Sequence, residues 1–151
     1  RYTNPIFMES MGIFAPDSGG PGMNDKNRRN ILILDPERDT AELFTRALET
    51  RGNTFKCYWV MTPEEARSLL CEIDFSFVLA DIVVLREDHF QLLNTIQETC
   101  CKTVVIVDAY LTEKESIKKA LELGARSYFI KPVMISSLRK IMEDLSLPVE
   151  P

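Results

Sequence analysis

The sequence has few of the groups that most directly announce a function. It contains one histidine, His89, and four cysteines, Cys57, Cys71, Cys100 and Cys101, none of them in a Cys-x-x-Cys pair. A structural zinc site draws on clustered Cys and His ligands, so none is expected. The vicinal Cys100 and Cys101 are explained more simply by a helix end running into a buried strand than by redox sensing, and thiols so arranged suit a reducing, cytoplasmic setting. No apolar run approaches the roughly 20 residues that span a bilayer, so no membrane segment is expected. Nor is there a basic patch. The 18 Lys and Arg residues are dispersed among 23 Asp and Glu, giving a net charge of −5. The nearest group, Lys26, Arg28 and Arg29, reads as a solvated linker. Phosphate-backbone binding rests on clustered positive charge, so nucleic-acid binding by this segment is not expected.

What is present is a regular alternation. The 151 residues, 45% hydrophobic and 27% charged, suit one globular domain. Residues 1–29 are rich in Pro and Gly and show no sustained period, so they are expected to be a disordered N-terminal arm or an expression remnant. The folded domain is expected over 30–147, with 148–151 as a C-terminal tail. Ile31-Leu32-Ile33-Leu34 is the short apolar run of a strand buried on both faces. Residues 39–51 carry Leu43, Phe44, Ala47 and Leu48 at helical spacing, with Gly52 as a stop. A second strand is expected over 55–60. Thr62, Pro63 and Glu65 form an N-terminal cap for a helix reaching about Ile73. A third strand spans 75–80, a helix runs from about His89 to Thr99, and a fourth strand spans 103–107. Thr112 and Glu115 predict a second capping box for a helix that Gly124 ends. A fifth strand, 127–130, and a fifth helix, about 135–145, complete the pattern.

Strands alternating with helices imply parallel pairing through crossovers, hence a flavodoxin-like, doubly wound, five-stranded α/β sheet with five helices on its two faces. Function in such sheets gathers beyond the carboxyl ends of the strands. Those positions hold Asp35, Asp81, Asp108 and Lys131. A single Asp there is most simply a helix cap or a turn residue, but three together with a Lys are not. Carboxylates gathered at one point repel and need a cation, a neighbouring ammonium or a raised pKa. Mg²⁺ prefers oxygen ligands, and Lys131 is a fixed positive charge. A carboxylate so placed can also attack phosphorus to give an aspartyl phosphate.

The segments Ile31 to Asp35, Asp81 to Asp88 and Ala120 to Pro132 carry a resemblance to the receiver domain of bacterial two-component response regulators. The Gly124-Ala125 turn, the aromatic in the fifth strand and Lys131-Pro132 are its most specific part. The resemblance covers nearly all of the structured region and implies a phosphorelay signalling domain rather than an enzyme. It implies Asp81 as the acceptor of a phosphoryl group from a histidine kinase or phosphotransfer protein. Asp35 and Asp81 become ligands of Mg²⁺, with Glu37 and the Val83 backbone carbonyl as further candidates, and Lys131 contacts the phosphoryl group. Tyr128 becomes the aromatic that changes rotamer when the domain switches. The Lys131–Pro132 peptide is expected to be cis, and the face made by the fourth helix, fifth strand and fifth helix is the expected partner or homodimer surface.

Three features depart from that family. Its two adjacent acids after strand one are Asp35-Pro36 here, and Pro36 cannot coordinate. Its Thr or Ser after strand four is Asp108, which when ionised cannot donate a hydrogen bond and would repel a phosphoryl oxygen, and whose alternatives are to bind the cation or to pair with Lys131. The Met-Pro and Gly that follow the acceptor are Val84-Leu85 and His89, and His89 reads as an exposed loop residue. The alternative reading is therefore a degenerate receiver, a phosphorylation-independent interaction module. A flavin or dinucleotide binder would need a Gly-rich or Ser/Thr-rich loop after strand one. Asp35-Pro36-Glu37-Arg38 is neither.

Overall fold

The computed structural model describes residues 29–49 and 55–146. The predicted N-terminal arm, the Gly52 stop and the tail from 148 onward lie outside the described residues. Five strands, β1 (Arg29–Leu34), β2 (Phe55–Val60), β3 (Phe77–Asp81), β4 (Val104–Ala109) and β5 (Ser127–Ile130), form one sheet in the order β2-β1-β3-β4-β5. Every pairing is parallel. The connections carry α1 (Arg38–Leu48), α2 (Pro63–Glu72), α3 (Ile82–Glu87), α4 (Gln91–Thr99), α5 (Lys114–Glu122) and α6 (Ile135–Ser146), with a 3₁₀ turn at Leu111–Glu113. The order reverses at β1 and β3, which sets the switch point beyond their carboxyl ends.

The apolar runs of the inner strands explain the two layers. Side chains alternate across a strand. Leu32 and Leu34 of β1, Val78 and Ala80 of β3, and Val105 and Val107 of β4 pack against α2, α3, α4 and α5 through Leu69, Leu85, Leu92, Leu93, Ile96 and Ile117. Ile31 and Ile33, with Phe77, Leu79, Ile106 and Phe129, face the other way onto Phe44, Ala47 and Leu48 of α1 and Leu138 and Met142 of α6. A strand covered on both faces can carry no polar alternation.

Local caps agree with the sequence at one helix and not at another. Thr62 Oγ1 accepts from the Glu65 backbone N–H at 3.2 Å, and Glu65 Oε1 accepts from the Thr62 N–H at 3.2 Å, the reciprocal box that the spacing predicts. Gly124 ends α5 with a positive φ of 118°. Ala125 N–H reaches the Ala120 carbonyl at 3.0 Å and Gly124 N–H the Leu121 carbonyl at 3.2 Å, a Schellman closure. Gln97 packs so close that a Cβ on Gly124 would lie 2.4 Å from its Cδ. The second predicted capping box does not form: Thr112 lies inside the 3₁₀ turn, and Glu113 at the N-cap of α5 makes no side-chain cap bond. The tighter turn displaces the helix start by one residue, from a cap at Thr112 to one at Glu113.

The largest departure is a sixth helix. The segment after Asp81 was expected to be a loop, and the next helix to begin near His89. Instead Asp81 Oδ1 accepts from Val83 N–H at 2.8 Å and Val84 N–H at 3.2 Å, which nucleates α3 directly from the end of β3. The chain then turns through His89 and Phe90, both left-handed at φ 54° and 58°, an uncommon conformation for residues with a Cβ. Asp88 holds this turn in place: its Oδ2 accepts from Leu92 N–H at 2.6 Å, and Arg67 reaches both carboxylate oxygens at 3.0 and 3.1 Å.

Thr62→Ala should lower stability by about 1 kcal/mol, the usual worth of such a cap, whereas Thr112→Ala should leave it unchanged. Urea-unfolding midpoints of the two variants check the pair.

Candidate functional site

Asp35 follows β1, Asp81 ends β3 and Asp108 lies near the end of β4. Asp81 and Asp108 are direct register partners across the β3–β4 pairing, and β1 flanks β3 on its other side. Three adjacent parallel strands therefore deliver three carboxylates to one place. Each residue has a carboxylate oxygen within 4.8 Å of the others, and all three are at least 95% buried, at 1%, 5% and 2% exposure. Lys131, next after β5, reaches across β4 into this group. Its Nζ donates to Asp81 Oδ2 at 2.9 Å and lies 3.5 Å from Asp108 Oδ2, an ion-pair distance without a hydrogen bond. The ammonium also sits 5.2 Å from the centre of the Tyr110 ring, close enough for a cation–π contact. The Lys131–Pro132 peptide is cis, in agreement with the expectation.

The carboxylates are not equally satisfied. Asp81 has one oxygen on two backbone N–H groups and the other on Lys131. Asp35 Oδ1 accepts from Glu37 N–H at 2.7 Å, but its Oδ2 is buried without a partner. Both oxygens of Asp108 are buried without a hydrogen bond. Burying an acceptor without a hydrogen-bond partner is costly. Burial raises the Asp35 carboxyl to about 6; the Glu37 N–H and Lys131 oppose this, while the Asp81 and Glu37 charges add to it. Burial also raises Asp108 to about 7, opposed by Lys131 and aided by Asp35 and Asp81. Burial alone would lower Lys131, but its bond to Asp81 and the charges of Asp108, Asp81 and Asp35 together hold it above its ordinary range.

The remaining candidates fall outside this group. Glu37 is exposed and contributes its backbone N–H to Asp35, while its carboxylate is not among those that converge. Val83 lies in the first turn of α3, with its N–H on Asp81. Tyr128 stands on β5, 44% exposed, and lines an outward groove of about 600 Å³ with Leu111, Ile117, Leu121 and Ile130. His89 is exposed in its turn. The sequence reading missed two residues. Tyr110 was detectable as the residue after β4, beside the other strand-end groups. Trp59 donates from Nε1 to the Asp35 carbonyl at 2.8 Å, and nothing in its spacing foretold that.

A hard divalent cation fits this donor set. Three acidic oxygens converge, and unpartnered carboxylate oxygens are buried on two of the three residues, which suits an ion that binds oxygen.

Sheet order, buried acids and the strand-five lysine together define a receiver-type α/β domain. The chain belongs to the response regulator receiver domain family, whose profile matches residues 31–143. It is 29% identical over 115 residues to the transcriptional regulatory protein DcuR of Escherichia coli K12, covering 75% of this chain and 48% of that protein. It is 31% identical over 109 residues to the transcriptional regulatory protein GltR of Pseudomonas aeruginosa, covering 70% of this chain and 44% of that one. The chain thus spans about half the length of these relatives. A response regulator from Thermotoga maritima superposes with a TM-score of 0.71 at 24% identity, covering 78% of this chain and 97% of that one. A BeF3-activated DrrB receiver domain gives 0.65 at 24% identity, covering 80% and 99%. Both show the same fold.

Stability should fall with rising pH when divalent cations are chelated. A carboxyl raised from 3.8 to about 7, as Asp108 is, makes the native state bind more protons than the unfolded chain. Its stabilising contribution is complete below about pH 4 and is lost as pH climbs through 7. Asp108→Asn removes that loss. Its stability relative to the parent should improve by on the order of 2 kcal/mol between pH 5 and pH 8, measured by urea unfolding in chelator. A pH-independent difference would contradict the assignment.

Proposed function

We propose that this chain is a phosphoryl-accepting receiver, taking a phosphoryl group onto Asp81 from a phosphohistidine of a histidine kinase or phosphotransfer protein. The observation that carries this reading is the 2.9 Å bond from Lys131 Nζ to Asp81 Oδ2. That oxygen is free of backbone donors, whereas Oδ1 is committed to capping α3. Oδ2 is therefore the nucleophile. It forms the new P–O bond as the P–N bond of the donor breaks, and the leaving imidazole keeps the electron pair and takes a proton. Lys131, already beside Oδ2, turns its ammonium to the incoming phosphoryl oxygens. Asp35 and Asp81 hold Mg²⁺, which when bound supplies positive charge to the acidic pocket and to the phosphoryl oxygens.

The signal leaves by the outer face. Tyr128, Leu121 and Leu111 are exposed beside one another, and Met134 and Ile135 are exposed at the start of α6. Such a patch suits a protein partner or a second copy of the chain. Net charge of −5 supports a protein surface rather than nucleic acid as the partner of this segment. Among the described residues no helix is long and apolar enough to cross a membrane. A cytoplasmic location agrees with the free, partly exposed thiols. Relatives that share this region include a transcriptional regulatory protein and, over 31% of its length, a protein-glutamate methylesterase/protein-glutamine glutaminase. The receiver itself is a signalling domain without turnover on an external substrate.

Asp108 favours a second reading. Its buried carboxylate stands where the family resemblance implies a hydroxyl donor, so a phosphoryl group would meet an acceptor there. A phosphorylation-independent interaction module is the consequence if that repulsion prevails.

Amide NMR spectra with Mg²⁺ and beryllium fluoride, a phosphoryl mimic, separate the two. Shifts at Asp81, Lys131 and Tyr128 that vanish in Asp81→Ala are expected. Unchanged spectra at saturating Mg²⁺ would leave the phosphorylation-independent module.

A further inference from the structure

We infer that Asp108 is the third carboxylate ligand of a divalent-cation site, taking over at the end of β4 the acidic role that Pro36 cannot perform after β1. This rests on the reading that the strand-end pocket binds a divalent cation, and it holds whether or not Asp81 is phosphorylated.

The geometry gives Asp108 this role in three ways. It is the register partner of Asp81, so its carboxylate enters the pocket from the opposite side to Asp35. One oxygen from each of Asp35, Asp81 and Asp108 lies within 4.8 Å of the other two. Around one octahedral Mg²⁺, oxygens on opposite sides are about 4.2 Å apart and adjacent ones about 3 Å apart, so the three carboxylates reach a shared ion by closing in by on the order of 1–2 Å. Finally, both Asp108 oxygens are buried and accept no hydrogen bond, as does Asp35 Oδ2. Lys131 meets this need only in part: it is bonded to Asp81 at 2.9 Å and forms a longer, 3.5 Å ion pair with Asp108 Oδ2, and it leaves Asp108 Oδ1 and Asp35 Oδ2 without a donor.

A carboxylate cannot stand in for the hydroxyl of a conventional receiver. It can stand in for a missing acid. The substitutions at Pro36 and Asp108 are then one relocation of a ligand from the β1 loop to the β4 end, with the number of pocket carboxylates restored to three.

Trp59 is the only tryptophan and is bonded to the Asp35 carbonyl, so its fluorescence reports on the pocket. Titrating the chain and Asp108→Ala with Mg²⁺ through this signal should show binding weakened at least about tenfold in the variant. Europium luminescence lifetimes in H₂O and D₂O count the waters on a bound ion. Asp108→Ala should raise that count by about one, and adding Pro36→Asp to it should restore both affinity and count. Asp108→Asn, which keeps the side-chain volume, serves if the alanine variant fails to fold, again with weakened binding expected. Unchanged Mg²⁺ affinity in the variants would overturn the ligand role. So would weaker binding with an unchanged water count, which marks a charge effect alone. If the parent chain binds neither ion, this inference and the divalent-cation reading both fail.

Discussion

Three buried carboxylates share one ammonium at the carboxyl edge of the sheet, and the behaviour of the pocket follows from that imbalance. Lys131 neutralises Asp81 by a direct bond and reaches no further than an ion-pair contact with Asp108. Asp35 and Asp108 are left with buried acceptor atoms that no protein group hydrogen-bonds, and burial pushes both carboxyls toward neutral pH. A pocket in this state accepts protons or cations readily. It is poorly disposed toward an anion unless a cation arrives with it.

The fold produces this arrangement through strand order. Because β3 lies between β1 and β4, residues at the ends of the first, third and fourth strands in the sequence become neighbours in space. Packing on both faces fixes the strands in register, so the carboxylates cannot drift apart without disturbing the core. Asp81 has a second duty, because the oxygen that does not face Lys131 caps α3. The acceptor is thereby tied to the helix that follows it, and that helix packs on the same layer as α4 and α5. A change at Asp81 has a mechanical route to the surface where Arg86 of α3 pairs with Glu113 beside α5.

Much of this was legible in the sequence, for identifiable reasons. The runs 31–34 and 127–130 are short and mostly apolar, and Gly124 closes a helix at a φ of 118°, which residues with a side chain rarely adopt. Strand periodicity therefore placed Asp35, Asp81, Asp108 and Lys131 correctly at the strand ends. Helix α3 was not legible. Ile82-Val83-Val84 is β-branched and apolar, and the side-chain cap from Asp81 overrides its propensity. The box expected at Thr112 and Glu115 failed because spacing alone cannot distinguish a 3₁₀ start from an α start. The lack of a hydrogen bond to Asp108 was hidden as well, since it depends on how far Lys131 and its neighbours reach.

The pocket is short of positive charge, with three carboxylates against the one ammonium of Lys131. Carbon-13 NMR of the aspartate side-chain carboxyls, followed against pH, tests it directly. Without divalent cations Asp108 should titrate near pH 7 and Asp35 near pH 6, and both should move sharply downward when Mg²⁺ is added. Ordinary titration of both near pH 4 in the absence of cations, or no response to Mg²⁺, would contradict it.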